Sequence, residues 1–316
     1  MKPKVYIDGQ AGTTGLKIKE RFALRNDIEL LEIDPEKRKD TEERKKLINA
    51  SDFTFLCLPD AAAVEAVSLA ESENVRIIDA STAHRTAAGW DYGFPELSAK
   101  HRENIRKSHR VANPGCYASG FISLVYPLVS DGIISPDFHV TSFAVSGYSG
   151  GGNKMIAEYE GTDKTEEDYS PRFYGLGANH KHLPEMKAIS GLNVTPSFTP
   201  IVDDYYSGMI VAVPLFTSDL AKKGMKAADL QEVFAKHYEG QKMVKVAPLM
   251  PLEESKTAKL AANTFSGRND MEIQIFGNDD NILLTSRFDN LGKGASGAAV
   301  QCMNIMMGID ETTGLV

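Results

Sequence analysis

The sequence has little cysteine, no excess of basic residues and no long apolar run, and each shortage excludes a class of protein. Three cysteines among 316 residues are too few for a disulfide framework and indicate a reducing, cytoplasmic compartment. The 35 basic residues are outnumbered by 43 acidic ones, and this net charge of −8 argues against binding nucleic acid on a broad basic face. No segment approaches the roughly 20 apolar residues that cross a bilayer, so we expect no membrane association.

Short apolar segments alternate with helical ones through the first 115 residues. The predicted strands are Lys4–Asp8, Glu29–Ile33, Phe53–Leu58, Val75–Asp79 and Arg110–Ala112, and the predicted helices are Leu16–Leu24, Thr41–Asn49 and Ala61–Glu71. Strands that alternate with helices predict a parallel sheet with crossover connections. We therefore predict a Rossmann-like, doubly wound α/β domain over residues 1–115, of the kind that binds a nucleotide.

The pattern changes to an α+β arrangement after the helix that follows Cys116. The predicted strands are Val140–Ser146, Met209–Phe216, Met271–Phe276 and Leu283–Phe288, with a hairpin turn at 277–281 and a helix at Ala227–Glu239. Residues 116–294 are therefore predicted to form a second domain around a mostly antiparallel sheet. The apolar helix Ser296–Met307 is predicted to pack back onto the first domain, which makes residues 295–316 part of it.

A glycine-rich turn, GQAGTTG at residues 9–15, follows the first predicted strand and precedes a helix. Glycine lets the chain turn tightly and approach a pyrophosphate closely, and the first N–H groups of a helix face the anion. An ordinary turn between a strand and a helix has the same glycines, but this position in the chain favours a dinucleotide site. The residues predicted to bind the dinucleotide here are Gly9, Gly12, Thr13, Thr14 and Gly15.

The end of the second predicted strand carries signals for both nicotinamide dinucleotides. Asp34 stands where a carboxylate holds the ribose 2′-hydroxyl of NAD. Lys37, Arg38 and Lys39 follow it, and they can bind the 2′-phosphate of NADP or simply form a solvated helix entry. The residues alone leave the choice between NAD and NADP open.

Cys116 follows Asn-Pro-Gly at a predicted strand end and opens a predicted helix. A helix N-terminus favours a thiolate, because the helix dipole stabilises negative charge there. Cys57, in FTFLCL, and Cys302, in an apolar helix, are better explained as small core residues. We therefore predict that Cys116 is a catalytic nucleophile.

A thiolate nucleophile needs a partner base, and the segment ANHKHLPEM at residues 178–186 supplies candidates. His180 and His182 are two positions apart, so on a strand they would share one face, and Glu185 could orient one of them. The alternatives are a polar loop or a metal pair. Because no clear third ligand accompanies the histidines, we predict no metal site.

Two polar segments beside glycines are candidates for substrate binding. Arg85, in DASTAHR after the fourth predicted strand, can clamp a carboxylate or phosphate with two hydrogen bonds, or form a surface ion pair instead. The segment SGYSGGGNK at 146–154, with Ser149 and Lys154, can offer consecutive main-chain amides and a cation to an anion, or is only a flexible loop.

Seven motifs, in the same order and over nearly the whole chain, resemble those of the shorter type of N-acetyl-γ-glutamyl-phosphate reductase. They are GQAGTTG, DASTAHR, YGFPEL, NPGCY, SGYSGGG, HKHLPE and DNLGKGASGAAVQCMN. The resemblance implies a reductive dephosphorylation of N-acetyl-γ-glutamyl phosphate with NADPH in arginine biosynthesis. It also implies a catalytic domain that builds the contact of a homodimer or homotetramer.

The same resemblance assigns roles to three residues. It makes Cys116 the nucleophile that forms a thioester and His182 the histidine that assists it. His180, Glu185, Arg85, Ser149 and Lys154 remain candidates for substrate binding. Asn290, in DNLGKG, would contact the nicotinamide amide together with the glycine turn that holds NADP.

Three alternatives to this function stay open. Aspartate-semialdehyde dehydrogenase shares the fold plan and the thioester chemistry, but usually surrounds its cysteine with Asn-Cys-Ser/Thr. A lysine-pathway relative would act on a carrier-bound aminoadipyl phosphate. A non-catalytic NADP-sensing regulator would need neither Cys116 nor His182.

Overall fold

The computed structural model describes residues 2–315, which divide into two compact units. One unit comprises the described residues up to Gly115 together with those from Ala295 onward, and the other is Cys116–Gly294. Among the described residues, no helix combines the length and apolar character that a membrane crossing requires.

The first unit is built on a six-stranded sheet in the order β2-β1-β3-β4-β6-β5, with every neighbouring pair parallel. Its strands are β1 Lys4–Asp8, β2 Glu29–Leu31, β3 Phe53–Leu56, β4 Arg76–Asp79, β5 Asp91–Tyr92 and β6 Arg110–Ala112. Its helices before residue 115 are α1 Thr13–Phe22, α2 Thr41–Ala50, α3 Asp60–Ser68 and α4 Ala99–Lys107. The predicted doubly wound fold class is confirmed. All four residues of β3 are buried, as expected for a strand of a parallel sheet that is covered on both faces.

The second strand ends at Leu31, earlier than the predicted end at Ile33. Strand β2 lies at the edge of the sheet and pairs only with β1. Ile33 is nevertheless buried, in an apolar cluster with Tyr6 and Ile48. An apolar residue after a strand therefore indicates burial against the core and not necessarily pairing in the sheet.

The second unit is built on a mixed sheet of seven strands in the order β11-β12-β13-β10-β7-β9-β8. These strands are β7 Thr141–Gly147, β8 Arg172–Phe173, β9 Ser197–Asp203, β10 Met209–Phe216, β11 Val244–Val246, β12 Met271–Gly277 and β13 Asn281–Phe288. Four of the six pairings are antiparallel, in agreement with the predicted, mostly antiparallel sheet. The β7–β9 and β11–β12 pairings are parallel, and the sequence did not predict β8, β9 or β11.

Helix α5, Cys116–Ser130, opens the second unit and is buried along most of its length. It packs against β10 so closely that a Cβ at Gly120 would lie 2.4 Å from Cγ2 of Val211. Because this contact fixes the helix on the sheet, it also fixes the position of its first residue, Cys116. The other helices of this unit are α6 Gly152–Glu160, α7 Leu183–Ser190, α8 Ala227–His237 and α9 Leu252–Ser255.

The last helix, α10 Gly297–Met307, belongs to the first unit. Ten of its residues, Gly297 to Met306, are buried, which explains why most of its circumference is apolar. Asn304 within it accepts a hydrogen bond from Nη1 of Arg25 at 2.7 Å and donates to the carbonyls of Glu311 and Thr313. The end of the chain is therefore held to its first 25 residues by a buried polar network.

Candidate active site

Cys116 is the first residue of α5 and is half-buried. Helix α5 has 15 residues and no charged side chain in its first turn, so the dipole at its start favours a thiolate. The segment after β13 lies directly against this cysteine, because a Cβ at Gly294 would be 2.9 Å from Cβ of Cys116. Only glycine leaves room for the cysteine at this contact.

An aromatic and imidazole cluster surrounds the residue that follows the cysteine. The ring centre of Tyr117 lies 5.6 Å from that of His180 and 6.0 Å from that of His182. The two imidazoles are 4.7 Å apart, and the hydroxyl of Tyr174 donates to that of Tyr117 at 2.8 Å. The structure thus brings both predicted histidines next to Tyr117, the residue after Cys116, although 64 residues separate His180 from Cys116.

The two tyrosines of this cluster stay neutral. Burial raises the pKa of Tyr117 well above its ordinary value, and the neighbouring Tyr174 and Cys116 raise it further. Burial likewise raises the pKa of Tyr174. These hydroxyls can therefore hold a substrate by hydrogen bonds, but they do not exchange protons near neutral pH.

The histidines do not lie on a strand, so they do not share a face in that way. His182 is the N-cap of α7, and its main-chain N–H donates to Nδ1 of His180 at 3.2 Å. Pro184 in the first turn of α7 favours the start of a helix there. Because Nδ1 of His180 accepts a hydrogen bond, it carries no proton, and the neutral ring holds its proton on Nε2. Glu185 is buried in the first turn of α7.

The SGYSGGG segment forms a fixed turn and not a flexible loop. Its main-chain amides at Gly147, Tyr148 and Ser149 donate to carbonyls of the 205–208 segment at 3.0, 2.9 and 3.0 Å. These three amides are therefore not available to an anion, contrary to the expectation from the sequence. Ser149 is buried, whereas Lys154 is exposed on α6.

Asp289 and Asn290 hold the segments of the second unit together. The side-chain oxygen of Asn290 accepts from the N–H of Gly208 at 2.9 Å, and its Nδ2 donates to Oγ of Ser149 at 3.0 Å. Asp289 accepts from the N–H of Leu291 and from the hydroxyl of Ser207. Both ends of the Asn290 amide are thus bonded within the protein. The sequence predicted a contact with the nicotinamide amide and did not predict these bonds.

The glycine turn of the first unit fits a dinucleotide. A Cβ at Gly15 would lie 2.5 Å from the carbonyl oxygen of Gly9, so the chain closes the turn only with glycine. Helix α1 begins at Thr13, followed by Thr14, and its N-cap Gly12 has no side chain to cap the first N–H groups. A glycine turn that leads into the start of a helix in this way is the arrangement that binds a pyrophosphate.

The residues after β2 do not settle the choice of dinucleotide. Asp34 is exposed three positions beyond the end of β2, and its Oδ1 accepts from the N–H of Glu36 at 3.0 Å. Arg38 is exposed in the turn that follows.

Sequence reasoning missed a buried ion pair beside the glycine turn. Asp8, the last residue of β1, lies 3.0 Å from Nη2 of Arg44 on α2, and Nη1 of Arg44 reaches Glu65 at the same distance. Burial raises the pKa of Asp8, although its bonds with Arg44 oppose that shift. The sequence shows an acidic residue, Asp8, directly before Gly9. Its partner Arg44 lies 36 residues away, so no local pattern indicates the pair.

Arg85 points toward main-chain oxygens and not toward open solvent. It is buried, with Nε donating to the carbonyl of Asn113 at 3.0 Å and Nη2 to that of Ala80 at 3.2 Å. The N–H of Asn113 in turn donates to the carbonyl of Asp79 at 2.7 Å. Arg85 therefore supports the turn that precedes Cys116.

Among residues 2–315, no group of three or more His, Cys, Asp or Glu side chains is arranged to hold a metal ion. The three cysteines are free thiols.

Comparison with known proteins identifies the family. Residues 5–106 match the semialdehyde dehydrogenase NAD binding domain, and residues 116–290 match the semialdehyde dehydrogenase dimerisation domain. An N-acetyl-gamma-glutamyl-phosphate reductase 2 from Nostoc sp. (strain PCC 7120) is 48% identical over 99% of both chains. The N-acetyl-gamma-glutamyl-phosphate reductase of Sinorhizobium medicae is 46% identical over 97% of this chain and 99% of its own.

The chain belongs to the N-acetyl-gamma-glutamyl-phosphate reductase family. The resemblance inferred from the seven motifs is confirmed, and this family membership makes the chain an oxidoreductase with a nicotinamide cofactor. A solved aspartate semialdehyde dehydrogenase from Francisella tularensis has a TM-score of 0.72 over 96% of this chain and 100% of that chain. At 16% identity this likeness concerns the fold alone.

Proposed function

We propose that this member of the N-acetyl-gamma-glutamyl-phosphate reductase family reduces N-acetyl-γ-glutamyl phosphate to N-acetylglutamate semialdehyde with NADPH, in arginine biosynthesis. The observation that carries the proposal is the placement of Cys116 at the start of α5, where the next residue, Tyr117, is in ring contact with His180 and His182. A thiolate there is a good nucleophile toward an acyl phosphate, and a thioester accepts hydride more readily than a carboxylate does.

The first half of the reaction transfers the acyl group to the protein. His182 takes the proton of the Cys116 thiol, and the thiolate sulfur bonds to the γ-carbonyl carbon. The bond between this carbon and the phosphate oxygen then breaks, and the electron pair leaves with phosphate. The product is a thioester on Cys116, with no net change of oxidation state.

The second half releases the aldehyde. When bound, the reduced nicotinamide supplies the hydride that converts the thioester into a thiohemiacetal oxyanion. The oxyanion electrons reform the carbonyl as the carbon–sulfur bond breaks, so that Cys116 returns as a thiolate. The half-buried position of Cys116 limits access of water, which would otherwise hydrolyse the thioester.

We assign the cofactor to the first unit and prefer NADP to NAD. The glycine turn supports dinucleotide binding. The preference for NADP rests on the resemblance to N-acetyl-gamma-glutamyl-phosphate reductases, because Asp34 and the exposed Lys37, Arg38 and Lys39 are compatible with either dinucleotide. The match to a dimerisation domain supports a homo-oligomer, a dimer or a tetramer, and three free cysteines fit a reducing cytoplasm.

The decisive test replaces the nucleophile. Cys116→Ser is expected to abolish the phosphate-dependent reduction of NADP by N-acetylglutamate semialdehyde, because a serine hydroxyl in this site is a far weaker nucleophile than a thiolate. Binding of NADP, measured by calorimetry, should remain as in the wild type. Cys57→Ser is the matched control and should retain activity. Substantial turnover by Cys116→Ser would refute the covalent mechanism.

The substrate is tested in the same assay. N-acetylglutamate semialdehyde, aspartate semialdehyde and the semialdehyde of a carrier-bound aminoadipate are compared at equal concentrations. We expect the first to give a kcat/KM at least about a hundredfold above the others, because a site built to bond a particular polar group rejects analogues that lack it. A preference for aspartate semialdehyde would move the chain to the alternative function.

A further inference from the structure

A buried carboxylate, that of Asp8, belongs to the residue directly before the glycine turn. Asp8 is the last residue of β1 and is 2% exposed, and its carbonyl accepts from the N–H of Cys57 at 2.8 Å. Gly9 follows with a φ of 88°, and its own carbonyl accepts from the N–H of Gly12 at 3.1 Å. Because neighbouring Cα atoms are about 3.8 Å apart, the negative charge of Asp8 lies next to a turn that approaches a pyrophosphate.

Arg44 supplies the positive charge that faces this carboxylate. Its Nε donates to Oδ2 of Asp8 at 3.1 Å, and its Nη2 lies 3.0 Å from the same oxygen. A guanidinium stays charged at every pH at which a protein is folded. Arg44 is 6% exposed, so water screens this pair little. Without Arg44, an ionised Asp8 would repel the anionic pyrophosphate.

Arg44 also connects the end of β1 with the turn that carries the candidate ribose ligands. It lies in the first turn of α2, and its main-chain N–H donates to the carbonyl of Asp40, the N-cap of this helix, at 3.0 Å. The N–H of Asp40 donates in turn to the carbonyl of Lys37 at 2.8 Å. The ion pair therefore holds the glycine turn to the segment 34–40, and a dinucleotide has to fit both.

We propose that Arg44 is a positioning residue for the dinucleotide, which neutralises Asp8 directly before the glycine turn and holds that turn to the start of α2. Arg44 acts through Asp8, so the proposal requires no contact between Arg44 and the dinucleotide. The inference rests on the proposed function in one respect, the binding of NADP by the first unit, and does not depend on the identity of the acyl substrate.

The test removes the charge of Arg44 in the full chain. Arg44→Met is expected to raise the Kd for NADP, measured by calorimetry at pH 8, at least about tenfold. The double variant Asp8→Asn with Arg44→Met should bind within about threefold of the wild type, because no unpaired charge is left beside the turn. The KM for N-acetylglutamate semialdehyde at saturating NADP should change by less than about twofold in both variants, because Cys116 belongs to the other unit.

The pH dependence of NADP binding separates a charge effect from a loss of structure. The groups that face Asp8 are Arg44 from α2, Glu65 from α3, Tyr6 from β1 and the protonated thiol of Cys57 after β3. Burial and the charge of Glu65 raise the pKa of Asp8, whereas its bonds with Arg44 and Tyr6 lower it. In Arg44→Met the largest lowering influence is lost, so Asp8 keeps its proton to a higher pH.

The sign of the effect follows from the charge of Asp8. In Arg44→Met the Kd for NADP should rise as the pH is raised, because the protonated carboxyl is neutral and the ionised one repels the pyrophosphate. The double variant has no carboxyl at this position and should show no such rise. A phosphate monoester itself titrates near pH 6, roughly, so the effect is read as the difference between Arg44→Met and the double variant.

Two controls complete the set. Asp27→Asn removes the partner of another buried arginine of the same unit, Arg25, which lies 2.6 Å from Asp27, and should leave the Kd for NADP within about twofold. Arg44→Lys keeps a cation beside Asp8 without the planar fork, and should bind NADP within about threefold of the wild type at each pH. If Arg44→Met does not fold, Arg44→Gln takes its place with the same expected results.

Three results would overturn the inference. They are an unchanged Kd for NADP in Arg44→Met, a double variant that binds as weakly as Arg44→Met with the same pH dependence, and an Arg44→Lys variant as weak as Arg44→Met. A wild-type protein that binds NADP but does not act on the semialdehyde would instead refute the proposed function, and the inference about Arg44 would stand.

Discussion

The three cysteines differ in burial and in the pKa of the thiol, because the fold places each in different surroundings. Cys116 is half-buried at a helix start. Burial raises the pKa of Cys57 far above its ordinary range, and the carboxylates of Asp79 and Asp8 raise it further. Cys302 is buried in α10, with its sulfur 3.4 Å from the carbonyl oxygen of Gly93. Chemistry is therefore expected from one thiol of the three.

Thiol alkylation tests this difference directly. Iodoacetamide at pH 8 should modify Cys116 first and abolish activity in proportion, because only thiolates react. Cys57 and Cys302 should be modified only after unfolding, since the raised pKa of Cys57 keeps it protonated at this pH and Cys302 is inaccessible. Peptide mass spectrometry after limited alkylation measures the order. Equal rates at Cys57 and Cys116 would contradict the assignment of the nucleophile.

The two histidines are expected to differ in the same way. His182→Asn should lower kcat by about 10²–10⁴-fold, the usual contribution of a general acid–base group. His180→Asn should lower it much less, because Nδ1 of His180 is occupied by the N–H of His182 and the ring acts as a support. The measurement is kcat for each variant with the semialdehyde. Equal losses would mean that the roles are shared or reversed.

At the scale of elements, helix starts and strand ends place the candidate sites. Helices α1 and α5 each begin directly after a turn that follows a parallel strand, and β1 and β6 end beside these turns. The sequence predicted both turns, because glycine and proline act on the local backbone. It did not predict β9, where Pro200 interrupts the apolar alternation of SFTPIVD, although burial alternates along the strand.

The glycine turn gives a prediction at this scale. Gly15→Ala should lower the thermal midpoint and weaken NADP binding at least about tenfold, because the added Cβ would overlap the carbonyl of Gly9 at 2.5 Å and open the turn. Gly12→Ala is the comparison, since its Cβ meets that same oxygen only at 3.5 Å and should leave the thermal midpoint nearly unchanged. Calorimetry of NADP binding and thermal unfolding measure both effects. An unaltered Gly15→Ala would show that the turn is not as tight as described.

At the scale of the whole molecule, the first unit uses both ends of the chain. Helix α10 completes it through apolar packing and through the polar network of Asn304, Gln301 and Arg25. Gln301 donates to the carboxylates of Glu96 and Glu311 at 2.7 Å each. A unit that depends on the last helix can be completed only after residues 116–294 have been synthesised.

Removal of this network should destabilise the protein without touching the site. Asn304→Ala leaves the guanidinium of Arg25 with one partner fewer and two buried carbonyls without donors, so the free energy of unfolding should fall by about 2–4 kcal/mol. Asn193→Ala, at an exposed asparagine of the second unit, should change it by less than about 0.5 kcal/mol. Urea unfolding of both variants is the measurement. A stable Asn304→Ala would show that apolar packing alone holds α10.

The sequence by itself determined the doubly wound fold, the glycine turn and the family, because each depends on residues that are neighbours in the chain or recur with a strand or helix period. Only the tertiary structure showed the bond between Asn290 and Ser149, 141 residues apart, and the ion pair of Asp8 with Arg44, 36 residues apart. It also showed that His182 lies at the start of a helix. Side-chain partners of this kind depend on how distant segments pack, and no local pattern records that.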